Sequence, residues 1–181
     1  MELAVTNFYE ILAPRCTVLV STVDKQGNPN AAPFSFVTPV SANPPLVLIA
    51  SAPVRHTISN IRETGEFVLN IVTEPILDKM WICSQAFPKG VSEIEKAGLT
   101  GRKSRSVKPP SIEECAGWIE CKLEFEHEAG DHILVVGRVL YVGCHDEFMK
   151  AGQLDIARAK TVMHIRGKRF VIAERLVTAE E

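Results

Sequence analysis

The sequence has no apolar run approaching the about 20 residues that a membrane-spanning helix needs. Its first stretch, Met1 to Pro14, lacks a basic region followed by an apolar one. Both absences predict a soluble, cytoplasmic protein with no membrane partner. A strongly basic block is also missing: 20 Lys and Arg stand against 22 Asp and Glu, for a net charge of -2. The electrostatic footprint of a phosphate-backbone binder is therefore absent, and nucleic acid is not an expected partner. The five cysteines, Cys16, Cys83, Cys115, Cys121 and Cys144, are odd in number and contain no CxxC pair. That argues against a disulfide framework and a zinc ribbon, and most of them are expected to be small buried hydrophobes. His56, His127, His132 and His145 show no metal-ligand spacing beyond the adjacent Cys144-His145, and neighbours on a strand point to opposite faces, so no metal is expected. There is no GxSxG elbow, GxGxxG turn or P-loop, so any nucleotide site must be of another kind.

What is present is a chain of 181 residues, 46% hydrophobic and 23% charged, which suits one domain over residues 1–181. The dominant apolar period is two. Thr17 to Asp24 is rich in β-branched residues and runs into the turn cluster Asp24-Lys25-Gln26-Gly27-Asn28-Pro29, after which Ala31 to Val37 reads extended, predicting a hairpin. Beyond Pro44-Pro45, the unbroken apolar run Leu46 to Ala50 predicts a central strand buried on both faces. Thr57 to Thr64 reads as a short helix with Thr57 as N-cap and Gly65 as terminator. Phe67 to Val72 returns to strand, and Ile76 to Ile82 and Ser92 to Ala97 read as helical pieces around Pro88-Lys89-Gly90. Trp118 to His127 alternates, with Ile119, Cys121, Leu123 and Phe125 inward and Glu120, Lys122, Glu124 and Glu126 toward water. Gly130-Asp131 turns the chain into Ile133 to Val142, apolar on both faces, and Thr161 to Ile165 and Arg169 to Ala173 add short strands around Gly167. The expected fold is mainly β, a small antiparallel barrel with peripheral helices.

Three constellations carry possible chemistry. Ser51 to Thr57 joins a strand to a helix start and gathers two hydroxyls and Arg55 beside free helix N–H groups, a place for a phosphate. The same residues also suit an ordinary capped helix with a surface arginine. Asn30 to Phe36 is a strand in which Pro33 removes a ladder donor, either an approachable edge for a planar ligand or an edge whose Phe34 and Phe36 pack into a core or subunit interface. Gly130-Asp131-His132 places a histidine at a barrel mouth, to meet a substrate or simply to satisfy a turn.

Taken in order, Pro14-Arg15 with TVLVSTVD, NAAPFS at 30–35, Pro44-Pro45-Leu46-Val47, Asn60-Ile61, TGEFVLN at 64–70, KAGLT at 96–100, Glu120-Cys121 and Gly130-Asp131-His132 with Gly137 resemble the flavin reductase-like family over nearly the full chain. NAAPFS and AGLT make the chain most similar to the flavoredoxin-like branch. The resemblance implies an FMN-binding split barrel of Greek-key antiparallel topology, a homodimer, and a flavoprotein oxidoreductase passing electrons or hydride through FMN. It implies that Pro33, Phe34, Ser35 and Phe36 run along the isoalloxazine, with Asn30 and Ala50 beside them. Ser51, Arg55 and Thr57 would hold the phosphate, and Ser84, Phe87 and Lys89 would cover the flavin. His132 would face an incoming nicotinamide. The segment Met163 to Lys168 departs from the tyrosine and glycine ending of many members, which leaves NADH, NADPH, a deazaflavin or a redox protein as donor. Chemistry would come from the cofactor, the protein orienting the ring and biasing its charge, so no catalytic residue is assigned. Two alternatives stand beside this reading: a non-catalytic FMN-binding electron carrier, and a dimeric β-barrel interaction protein without flavin.

Overall fold

The computed structural model describes residues 2–180. The chain opens with a short helix α1 (Phe8–Ile11), which the sequence reading did not anticipate, followed by a two-residue strand, Arg15–Cys16. Strand β1 (Val18–Val23) ends at Asp24, whose carboxylate accepts the Gln26 and Asn28 N–H groups at 2.9 Å each and turns the chain into β2 (Pro29–Phe34). The two pair antiparallel from Val18 opposite Phe34 to Val23 opposite Pro29, as the hairpin reading expects. The chain then breaks at Ser35-Phe36, and β3 (Val37–Ala42) follows as a separate strand paired with β4 (Pro45–Ser51). The sequence reading continued one strand through to Val37 and missed β3, because Pro39 and the polar Thr38 and Ser41 disguise it.

Helix α2 (His56–Thr64) leads through Gly65, at φ 73°, into β5 (Glu66–Ile71). The long hairpin β6 (Gly117–Ala129) and β7 (His132–Cys144) completes an antiparallel sheet of order β2-β1-β5-β6-β7-β4-β3. Its two end strands, β2 and β3, are consecutive in the chain and joined only by Ser35-Phe36, and the Ala50 N–H donates to the Phe36 carbonyl at 2.9 Å, extending the β3–β4 pairing to that junction. Inside the curl, Val18, Val20, Phe34, Val47, Ile49, Phe67, Leu69, Cys121, Ile133 and Val135 pack with Ile58 and Ile61 of α2.

Outside β1 and β2 lies a second core. Leu19 and Ala31 meet Ile76 and Met80, Ile94 and Val162, contributed by a 3-10 turn, α3 (Leu77–Ile82), α4 (Glu93–Lys96) and β8 (Val162–Arg166). The doubly buried strand is therefore β1, all six of whose residues are buried. β4, expected to be central, lies second from the sheet's end and alternates between buried and half-buried. After β7, a short helix α5 (Ile156–Ala159) precedes β8, which pairs with Arg15–Cys16 on one side and with β9 (Arg169–Ile172) on the other.

The clean in-and-out alternation expected of β6 fails in two places. Glu120 is 1% exposed, its carboxylate accepting the backbone N–H groups of Arg105 at 2.8 Å and Ser106 at 2.5 Å, whereas Phe125 is 54% exposed. Register shifts between β6 and β7 at Val136/Gly137 and Val139/Tyr141 re-aim side chains along both strands. β7 pairs with β4 only as far as Arg138, so Leu140 and Val142 emerge exposed instead of lying deep in the sheet. Among the described residues no helix is long and apolar enough to cross a membrane.

Candidate functional site

β2 ends the sheet, so half its backbone groups face away from β1. The Ala31 N–H on this outer edge is accepted by Glu93 Oε2 at 3.3 Å, and Pro33, two residues on, has no N–H to offer. An edge that would otherwise invite another strand is thereby left closed to pairing but open to a flat ligand.

The next component is the entry to α2. Arg55, not Thr57, occupies the N-cap position, with extended backbone (φ -77°, ψ 142°), and no side chain caps the helix. Thr57 is the second residue of the helix and is buried, its hydroxyl donating to Asn30 Oδ1 at 3.4 Å. Asn30 Oδ1 also accepts from Thr22 Oγ1 at 3.4 Å, and Thr22 Oγ1 accepts from Asn60 Nδ2 at 3.0 Å, so a buried polar chain ties α2 to the first hairpin. The sequence reading took Thr57 for the cap because a hydroxyl before an apolar repeat is the usual sign, but here the barrel interior claims it.

Two adjoining clefts lie over these elements. The first, about 390 Å³, is lined by Ala32 to Phe36, Ala50 to Ala52, Arg55, Cys83, Ser84 and His132, and on its far wall by Tyr9, Arg15 and His164 to Gly167. The second, about 360 Å³, shares Ala32, Ala52, Arg55 and Cys83 with the first and continues past Asn30, His56, Thr57, Phe87 and Glu93. Of the residues singled out from sequence, Pro33, Phe34, Ser35, Phe36, Ala50, Ser51, Ser84 and His132 line the first cleft, Asn30, Thr57 and Phe87 the second, and Arg55 both. Lys89 lines neither cleft but a small hollow with Asp24, Asn28 and Asn60 that shares Asn30 and His56 with the second cleft, and it pairs with Glu63 at 3.5 Å.

The first cleft carries positive charge and no carboxylate of its own. Three arginines and two histidines line it without an acidic side chain among them, in a protein whose net charge is -2. The carboxylates nearest in sequence are engaged: Asp131 Oδ1 lies 2.6 Å from His132 Nδ1, which holds the Asp131 carboxyl below its ordinary range, and Glu10 pairs with Arg166. The His132 ring leans on Phe36 with centroids 5.3 Å apart. Burial pushes His164 down, toward the neutral imidazole, and the nearby Arg15 guanidinium acts in the same direction. In the second cleft burial pushes Glu93 up, against the bonds it receives from the Ala31 N–H and the Asn30 side chain. Burial, with Glu93 nearby, pushes the Cys83 thiol up to about 12.

Sequence reasoning missed Tyr9, Arg15, His164, Arg166 and Glu93. Arg15 had a signal in Pro14-Arg15, already part of the resemblance. Tyr9 comes from α1, His164 and Arg166 from β8 and Glu93 from α4, segments that only the fold brings to the clefts.

An antiparallel sheet curled round one core, with clefts where its two ends meet, defines a split-barrel protein. The flavin reductase-like domain model matches residues 12–170, and the chain belongs to that family. An uncharacterized protein of Archaeoglobus fulgidus is 39% identical over 172 residues, 94% of each chain. Nitrilotriacetate monooxygenase component B from Bacillus cereus superposes with a TM-score of 0.86 at 28% identity, covering 98% of this chain and 95% of that one. Flavoredoxin of Desulfovibrio vulgaris shares the fold at a TM-score of 0.86 and 19% identity, covering 99% and 97%. Membership puts the protein's function in flavin-related redox chemistry.

Proposed function

We propose that this protein binds FMN and passes electrons or hydride through it, as a flavoprotein oxidoreductase of the NAD(P)H:flavin reductase or flavoredoxin kind. The observation that carries this reading is the continuity of the two clefts, with an uncapped helix start and Arg55 where they meet and an approachable strand edge along the first. The clefts fall within the size range of small-molecule sites. FMN is long and two-ended, a planar ring and a phosphate, and the residues fit both ends.

Arg55 makes no ion pair among the described residues, and its guanidinium together with the first N–H groups of α2 would hold the phosphate. The Pro33 to Phe36 segment would lie along the ring, and Ser35 would present its hydroxyl to the polar edge. That hydroxyl lies 3.4 Å from Thr17 Oγ1. Bound FMN would supply the hydride and electron chemistry. The chain itself orients the ring, keeps Cys83 a neutral thiol against it, and offers His132 at the mouth where a nicotinamide would approach.

The reading extends to the assembly. Residues 1–181 form one flavin-binding domain that pairs with a second copy. Phe8, Ile11, Leu12 and Phe36, all exposed, border an apolar groove of about 580 Å³ beside the first cleft, and a partner would cover it. Five free cysteines are in keeping with a reducing, cytoplasmic setting.

The test is anaerobic addition of NADH or NADPH to the FMN-loaded protein. Prompt bleaching supports a reductase, and bleaching by dithionite alone supports an electron carrier fed by a redox protein. Failure to bind FMN overturns the reading.

A further inference from the structure

Arg15 is a half-buried cation that no carboxylate neutralises. Its guanidinium donates to the Tyr9 and Leu12 carbonyls from Nη1 and to the Ile165 carbonyl at 2.6 Å from Nη2, while Nε is buried and unpartnered. Among the described residues it forms no ion pair, and Glu10, the acidic side chain on α1, is taken up by Arg166. A cation withdrawn from water costs free energy unless an anion compensates it, and carbonyl dipoles compensate only in part. Arg15 is also where the ring end of the site is built. It lines the first cleft together with Ser35 and Phe36, with Cζ 5.9 Å from the Phe36 ring centroid. His164, the titratable group beside it on β8, is pushed toward neutrality and so supplies no competing charge.

We propose that Arg15 is the charge-stabilising residue of the flavin site, its uncompensated guanidinium favouring the anionic form of reduced FMN and so raising the cofactor's midpoint potential. This rests on the FMN reading above. Two electrons and one proton from the reductant leave the ring with one net negative charge, and a second proton would leave it neutral. A fixed cation at the ring end favours the first product over the second, and over the oxidised ring.

The experiment is a redox titration of the FMN-loaded protein against a reference dye, at several pH values, for wild type, Arg15→Lys and Arg15→Gln. Wild type is expected to take up one proton per two electrons even at mildly acid pH. Arg15→Gln should take up two there and bind reduced FMN at least tenfold more weakly relative to oxidised FMN, a fall of about 30 mV for a two-electron couple. Arg15→Lys, which keeps the charge but breaks the bridge between Tyr9, Leu12 and Ile165, should stay near wild type in both respects. A residue that only clamps the termini would give Lys and Gln variants with the same shift, which overturns the proposal. Uptake of two protons by wild type at mildly acid pH overturns it without any variant, should Arg15→Gln not fold. Wild type that binds no FMN overturns the FMN reading first, a result distinct from an unmoved potential in a protein that does bind it.

Discussion

Arg55 is the residue on which the phosphate assignment turns. If its guanidinium makes a charged hydrogen bond to phosphate, Arg55→Ala should weaken FMN binding by about 1.5 to 3 kcal/mol and leave riboflavin, which has no phosphate, nearly unaffected. Fluorescence titration of both ligands reads this directly, and equal losses for the two would move the phosphate elsewhere. Glu93 gives a pH test of the second cleft. Burial raises its pKa in the folded protein, so its contribution to stability is fully present below the ordinary glutamate range and is lost as pH rises through the raised value. Glu93→Gln carries no charge at any pH, so the stability of wild type relative to this variant should fall with rising pH across that interval. Urea midpoints at its two ends measure the difference, and one that grows with pH contradicts the assignment. Many of the cleft residues were legible in the sequence because they sit in contiguous stretches, 30–36 and 50–57. Glu93 and Arg166 were not, since a carboxylate in an amphipathic helix and an arginine in a hairpin read as surface until the fold brings them to the cleft.

Two glycines show how differently elements depend on a missing Cβ. Gly137 sits in β7 where a Cβ would come within 2.3 Å of Phe67 Cζ, a fully buried ring of the barrel core. Gly137→Ala should therefore destabilise by about 1 to 3 kcal/mol through overpacking. Gly65 has open space around it but holds φ at 73° to end α2, so Gly65→Ala should cost about 1 kcal/mol through the backbone alone. Chemical denaturation of each variant, with Phe67→Leu added to Gly137→Ala, separates them, because only the Gly137 site should be relieved by a smaller neighbour. At this scale the sequence was readable where local chemistry decides: the Asp24 turn, the Gly65 stop, and the short helices around 77–82 and 93–96. It misled where tertiary pairing decides. β3 hides behind Pro39, and Glu120 is buried because it holds the loop at 104–106, a partner no periodicity reveals.

For the whole molecule, apolar content and period were enough to predict a mainly β fold with peripheral helices, while the order of strands was not readable from pattern. The seven-stranded sheet places β1, rather than β4, against both cores, since the insertion that follows β5 covers the outer face of β1 and β2. That double burial has a chemical consequence. Burial pushes the thiols of Cys83 and Cys121 up to about 12 and raises that of Cys115 as well. Burial raises the Cys16 and Cys144 thiols too, but Cys16 is exposed and Cys144 half-buried, so in native protein at mildly alkaline pH iodoacetamide should label these two and spare the three buried thiols until the chain is unfolded, as peptide mass mapping would show. Early labelling of Cys115 would mean that the second core opens in the native state.

The claim that joins these scales is that the two clefts together form one flavin site. The most direct measurement is the absorbance spectrum of the purified protein after incubation with FMN and removal of excess, with the released ligand identified by mass. The expected result is a retained flavin spectrum and FMN on release, diminished in Arg55→Ala. A colourless protein, or one that retains FMN equally well without Arg55, would contradict the account.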